Sequence, residues 1–196
     1  MTRWDIFIKE TEGGIVATYR QRAWDIAKEA YGYVTTKDAT RAGIPAIELV
    51  KLAARGRLRH VARGIYRFDE FPATKFDQFF EAVLRVGDDA FLVGDAVLSL
   101  HDLALVNPRR IRVATRRRRR GKLPTWINVE QSDVPDADVT SFEGIPATTV
   151  ARAIRDAREY VMTERLLDAL PIAVREGLVD DAEARRLRRD LLAPAR

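Results

Sequence analysis

Seven cations, Arg41, Lys51, Arg55, Arg57, Arg59, Arg63 and Arg67, lie in a stretch that holds a single acid, Glu48. The chemistry this suits is phosphate binding. Cations held on one face of a rigid scaffold release the counterions of a polyanion, and that release supplies most sequence-independent affinity for nucleic acid. A second basic stretch, RRIRVATRRRRRGKLPTW at residues 109–126, has nine basic residues and no acid, including the unbroken run Arg116, Arg117, Arg118, Arg119 and Arg120. Blocks of like charge repel one another, stay extended and often serve as interaction arms. This run suits a second DNA contact, a clamp on an acidic protein or a solubilising loop, and by itself it says only that an anion is near.

Catalytic chemistry has little to work with. The only histidines are His60 and His101, and there is no cysteine, so disulfides, thiolate zinc sites and cysteine nucleophiles are excluded. His101 stands beside Asp102 with Ser99 two residues back, but neighbours on a helix point about 100° apart and do not form a triad. VGDDAFLVGDA offers Asp88, Asp89 and Asp95 without the Gly-Ser that precedes paired acids in nucleotidyltransferases. No Gly-rich loop with a Lys-Ser/Thr ending occurs. The expectation is a protein that is not an enzyme and needs no cofactor or metal.

With 46% hydrophobic residues and a formal charge of +5 over 196 residues, the chain can bury a core and favours an anionic partner. Asp5, Lys9 and Glu10 interrupt the N-terminus, so it has no signal pattern, and no apolar run approaches the roughly 20 residues that span a bilayer. The expectation is a soluble cytoplasmic protein that does not bind a membrane.

The elements that must position the cations are legible. Ile15, Tyr19, Ala23, Ile26, Ala27 and Ala30 recur at helical spacing. A short helix carrying Trp4, Phe7 and Ile8 precedes them. Thr35 with Asp38 is a helix N-cap, the helix runs from Thr36 to Ala42, and Gly43 ends it. Ile44 is an apolar plug and Pro45 suits the first turn of the next helix. That helix runs to about Arg55 with Leu49, Leu52 and Ala53 inward, and Gly56 ends it. Leu58 to Ala62 and Ile65 to Phe68 are strands around an Arg63-Gly64 turn, with Leu58 and His60 on one face of the first and Arg59 and Val61 on the other. Helix, helix, Gly turn, helix, hairpin is the order of a winged helix-turn-helix.

The outer face of the second helix of the pair is Ala46, Ile47, Val50, Lys51, Ala54 and Arg55. Lys51 and Arg55 reach guanines or phosphates, while the apolar members contact thymine methyls or pack on something else. The alternative is a winged helix used for protein contact. Phe71-Pro72-Ala73 marks a boundary, giving a winged-helix domain at residues 1–72, with its N-terminal helical extension, and a mixed α/β domain at residues 73–196. In the latter, Phe76 to Leu84, Ala96 to Leu105, Thr148 to Tyr160, Thr163 to Leu170 and Asp181 to Leu192 read as helices. Ile111 to Ala114 and Trp126 to Glu130 read as strands, Asp133 to Asp138 as an acidic loop, and both Gly-Ile-Pro tripeptides, at Gly43 and Gly144, as punctuation before helices. The fold class is α+β.

GYVTTKDATRAGIP, LVKLAARGRL and VARGIYRF, within residues 32–68, resemble the N-terminal winged helix of the AbiEi family, the antitoxins of type IV (abortive-infection) toxin–antitoxin systems. VGDAVLSLHDL and FEGIPATTVARAIRDA resemble later segments of the same family, so the resemblance spans most of residues 20–160. It implies a winged helix that binds inverted repeats in its own promoter and represses it. It also implies a C-terminal domain that assists multimerisation, as a homodimer or a DNA-induced multimer, and opposes a nucleotidyltransferase-like toxin encoded beside it. Carried onto this chain, the DNA-binding set is Arg41, Lys51, Arg55, Arg57, Arg59 and Arg63, with Ile47 on the reading face and Arg116 to Arg120 extending the footprint. The competing readings are an antitoxin that works mainly by direct contact with its toxin and a stand-alone winged-helix regulator.

Overall fold

The computed structural model describes residues 17–117 and 121–193. The expected short helix at Trp4, Phe7 and Ile8 lies outside the described residues, as do Arg118, Arg119 and Arg120. The chain divides into two compact units that meet in sequence between Thr74 and Lys75.

In the first unit, helix α1 (Tyr19–Lys28) begins where the Thr18 hydroxyl accepts the Gln21 N–H at 3.2 Å. Strand β1 (Tyr33–Thr35) runs straight into helix α2 (Thr36–Arg41). Thr35 serves both: its hydroxyl accepts the Asp38 N–H at 3.1 Å and donates to the Asp38 carboxylate at 2.6 Å. Such a cap satisfies one of the four N–H groups that a helix start leaves without an internal partner. At the far end Gly43 takes φ +69°. The Gly43 N–H reaches Thr40 O at 2.9 Å and the Ile44 N–H reaches Ala39 O at 2.8 Å, a complete Schellman closure. Ile44 is fully buried as the plug.

Helix α3 (Ala46–Ala54) follows, with Pro45 at its N-cap, one position ahead of the expected first turn. It closes in the same way, Gly56 donating to Ala53 O at 3.0 Å and Arg57 to Leu52 O at 2.9 Å. Strands β2 (Arg59–Ala62) and β3 (Ile65–Arg67) form the expected hairpin, but β1 pairs with β3 as well, so the sheet has the order β1-β3-β2. The expected alternation of faces along β2 does not hold. Leu58 is buried just before the strand while His60 is exposed against the Tyr66 ring, and a bulge between His60 and Ala62 breaks the register beyond. Ala23, Ala27, Ile44, Leu49, Leu52, Leu58 and Phe68 make the core, with Trp24 edge-on to Phe68.

The second unit contains α4 (Asp77–Val86), β4 (Ala90–Leu92), α5 (Asp95–Leu100), β5 (Ile111–Thr115), β6 (Ile127–Gln131), a single 3-10 turn (Asp136–Asp138), β7 (Val139–Phe142), β8 (Ile145–Thr148), α6 (Val150–Ala157), α7 (Thr163–Arg175) and α8 (Asp181–Leu192). The five strands lie in the order β6-β5-β4-β8-β7, with β5 parallel to β6, β4 antiparallel to β5 and parallel to β8. With the winged helix, this makes the chain α+β.

Three expectations change here. The helix expected over Ala96 to Leu105 stops at Leu100, because Asp102, Ala104 and Leu105 all take positive φ. Gly144 does not precede a helix: Glu143 and Gly144, at φ +50° and +75°, turn the β7–β8 hairpin. Two consecutive left-handed residues form the primed turn that matches strand twist. Helix α7 passes through Pro171 to Arg175, since Leu166, Ala169, Leu170 and Ala173 are all buried along one face and hold the helix across the missing bond.

Candidate nucleic-acid interface

The two Schellman closures set α3 rigidly between α2 and the hairpin. Leu49 and Leu52 turn inward, and Ala46, Ile47, Val50, Lys51, Ala54 and Arg55 are all exposed. Ile47 and Val50 are 55% and 47% exposed, unusually open for β-branched aliphatics. The hairpin turn is tied to the start of α2 by the Thr36 N–H to Gly64 O bond of 2.9 Å. A Cβ on Gly64 (φ +72°) would stand 2.8 Å from the Thr36 hydroxyl, so the close approach needs glycine.

The seven cations of this segment are not equivalent. Arg67 is buried: it donates to Tyr31 O at 3.2 Å and lies over the Tyr33 ring at 5.5 Å. It holds the sheet together and is not a surface charge. Lys51 pairs with Glu48 at 2.8 Å, Arg41 with Asp38 at 3.4 Å and Arg59 with Asp69 at 2.8 Å. Asp38 and Asp69 lie just outside the stretch in which Glu48 is the only acid, so charge counting over that window overstates the free positive charge. Arg55, Arg57 and Arg63 are exposed and carry no ion pair among the described residues. Exposed pairs contribute about 0–1 kcal/mol, so a phosphate group can displace the acid at little cost.

In the second unit, Arg116 pairs with Asp136, which draws the start of the arginine run to the acidic loop. The Thr115 hydroxyl donates to Arg117 O at 3.2 Å. The same unit holds a cluster that the sequence pattern does not announce. Arg112, in β5, places Nε 3.1 Å from an Asp95 carboxylate oxygen, off the line of a hydrogen bond, and its guanidinium lies 3.9 Å from the centre of the Tyr160 ring. The Tyr160 hydroxyl occupies the space beside Gly94, where a Cβ would come within 1.8 Å of it. Burial pushes the Asp95 carboxyl above its usual range against the pull of Arg112. Burial, reinforced by the Asp95 charge, pushes the Tyr160 phenol up to about 12. A cleft of about 300 Å³ opens beside this cluster, lined by Asp95, Pro108, Arg109, Arg110, Arg112 and Asn128. The one sequence signal available for it is Arg112 itself, a charge between the apolar Ile111 and Val113 of one strand.

His60 lies on β2 against the Tyr66 ring. His101 caps α5, its ring 4.1 Å from that of Phe142, and burial lowers its pKa. Asp102 pairs with Lys75 instead. Among the described residues no group of three His, Cys, Asp or Glu side chains is placed to hold a metal ion, and no helix is long and apolar enough to cross a membrane.

Residues 24–68 match the family model AbiEi_4, transcriptional regulator, AbiEi antitoxin. The match runs from within α1 to just past β3 and bears out the resemblance carried by GYVTTKDATRAGIP, LVKLAARGRL and VARGIYRF. No curated protein matches the chain.

Proposed function

We propose that this chain, which carries an AbiEi antitoxin-regulator segment at residues 24–68, is the antitoxin of a type IV toxin–antitoxin system and the repressor of its own promoter. The observation that carries the reading is α3: a reading face exposed along its whole length, held between two locked turns and flanked by Arg55, Arg57 and Arg63. In helix-turn-helix proteins the second helix enters the major groove and its N-terminal half meets the base edges. Here Ile47 takes that place, Val50 and Lys51 follow at the middle of the helix, Arg55 and Arg57 meet the phosphates beyond it, and Arg59 and Arg63 on the hairpin meet the flanking backbone. Arg41 adds a phosphate contact from α2. Arg116 to Arg120 extend the footprint electrostatically and read no bases.

Residues 1–72 then form the DNA-binding domain. Residues 73–196 form the domain that assists multimerisation on inverted repeats and counters a nucleotidyltransferase-type toxin in the cytoplasm. A second reading, direct contact with that toxin as the main activity, is favoured by the acids that engage Arg41, Lys51, Arg59 and Arg116 in the free protein. A salt titration of binding to the DNA upstream of its own coding sequence, against scrambled DNA of equal length, tests the first reading. Operators are bound on the order of 10³-fold or more tighter than random sequence. Equal, weak, salt-sensitive binding to both duplexes defeats it and leaves the toxin-contact reading.

A further inference from the structure

We infer that α3 selects its DNA site through the C5 methyl groups of thymine, with Ile47 and Val50 as the reading side chains. The inference rests on the DNA-binding reading above and adds what that site recognises.

The reading face lacks the side chains that read most bases. No asparagine or glutamine is present for adenine, and no free carboxylate for cytosine. Glu48 is the only acid on α3 and it is paired with Lys51. Besides Lys51 and Arg55, which suit guanine or phosphate, what the face offers is aliphatic: Ile47 and Val50 at 55% and 47% exposure, with the exposed methyls of Ala46 and Ala54 beside them. The apolar feature that the major groove presents to such a surface is the C5 methyl group. Ile47 lies in the first turn of α3, the part of a recognition helix that meets the base edges, and Val50 lies at its midpoint. Both are β-branched, so each keeps one dominant χ1 rotamer in a helix and gives up little freedom on binding.

The occupant follows from charge and size. Two aliphatic side chains fall far short of the ~1,000 Å² that a stable protein interface needs. Arg55, Arg57 and Arg63 stand exposed in the same unit without an ion pair among the described residues, and their charge is complementary to phosphate.

The test starts by selecting sites for the full-length protein from a random duplex library. The strongest site is then prepared with deoxyuridine in place of thymidine at one position at a time, which removes only the methyl group. The expected result is thymine at fixed positions of the selected site and about four-fold weaker binding for each contacted methyl removed, the equivalent of burying one methyl-sized group at about 0.8 kcal/mol. Ile47→Ala and Val50→Ala, both at exposed positions that the core does not need, should each weaken the thymidine site and abolish the uridine effect at one position. Selected sites without fixed thymines, or specific binding indifferent to uridine, overturn the inference and leave DNA binding intact. Failure to enrich any site overturns the DNA-binding reading and this inference with it. Variants that dissociate an oligomer while leaving the uridine effect unchanged assign the face to a second copy of the chain and also overturn it.

Discussion

Arg59 and Arg112 each pair with an aspartate, at 2.8 and 3.1 Å, and yet the two pairs differ in kind. Arg59 and Asp69 are 50% and 64% exposed, whereas Arg112 and Asp95 are 28% and 15% exposed. Water screens the first pair, which contributes little and yields readily to a phosphate. The second pair has lost much of its water. The desolvation that raises the Asp95 carboxyl makes each partner costly to leave alone, and the Tyr160 ring closes over the guanidinium. Distance therefore does not rank the two; exposure does. The basic surface of the winged helix is arranged to exchange partners, and the Arg112 cluster is arranged to keep its own.

The largest test of that contrast is Arg112→Ala. It leaves the largely buried Asp95 without its cation and removes the partner of the Tyr160 ring, so urea unfolding should show a loss of about 2–3 kcal/mol. A cost no greater than that of Arg59→Ala would break the comparison. Next is the triple change Arg55→Gln, Arg57→Gln, Arg63→Gln. Each cation withdrawn from a phosphate lowers the slope of log affinity against log salt by about 0.9, so the slope should fall by roughly 3 while the unfolding midpoint stays in place. An unchanged slope would mean that these unengaged arginines do not meet DNA.

A smaller effect is expected at high pH. The folded protein raises the Tyr160 phenol from 10.0 to about 12, so the stability tied to keeping it neutral is fully present below pH 10 and is lost as pH rises through about 12. Absorbance titration should show a late-ionising phenol step that Tyr160→Phe removes, and the same change should flatten the alkaline decline in stability. The smallest effect is Asp69→Asn. It removes the Asp69 charge from Arg59 with a stability change within about 0.5 kcal/mol, and affinity for non-specific DNA should rise rather than fall. A stability loss of several kcal/mol would show that the exposed pair is structural after all.

The winged helix was readable because its punctuation is local. The Thr35 to Asp38 cap, the glycines at 43 and 56 and the Arg63-Gly64 turn each act within a few residues of themselves. Strand β1 escaped notice because three residues carry no periodicity, and its partner β3 lies beyond two helices. In the second unit the same tripeptide misled. Gly43-Ile44-Pro45 follows a closing helix, while Gly144-Ile145-Pro146 follows a left-handed Glu143 and enters β8. A proline argues against a strand unless its missing N–H is tolerated. At Pro146 the neighbouring pairs with β7 and the Leu92 to Ala147 pairing with β4 hold the strand in place.

In the winged helix the sequence alone determined where the cations are, which helices form and how they end, because helix caps and glycine turns depend on neighbours along the chain. It also carried the α3 face, since the inward positions of Leu49 and Leu52 leave Ile47 and Val50 outside. Only the tertiary structure decided which cations remain available. It took Arg67 into the sheet against Tyr33 and brought Asp38 and Asp69 back onto Arg41 and Arg59. It also assembled Asp95, Arg112 and Tyr160 from three distant places in the chain. Charges interact across space and through the solvent that remains between them, and neither the separation nor the solvent exists until the chain has folded.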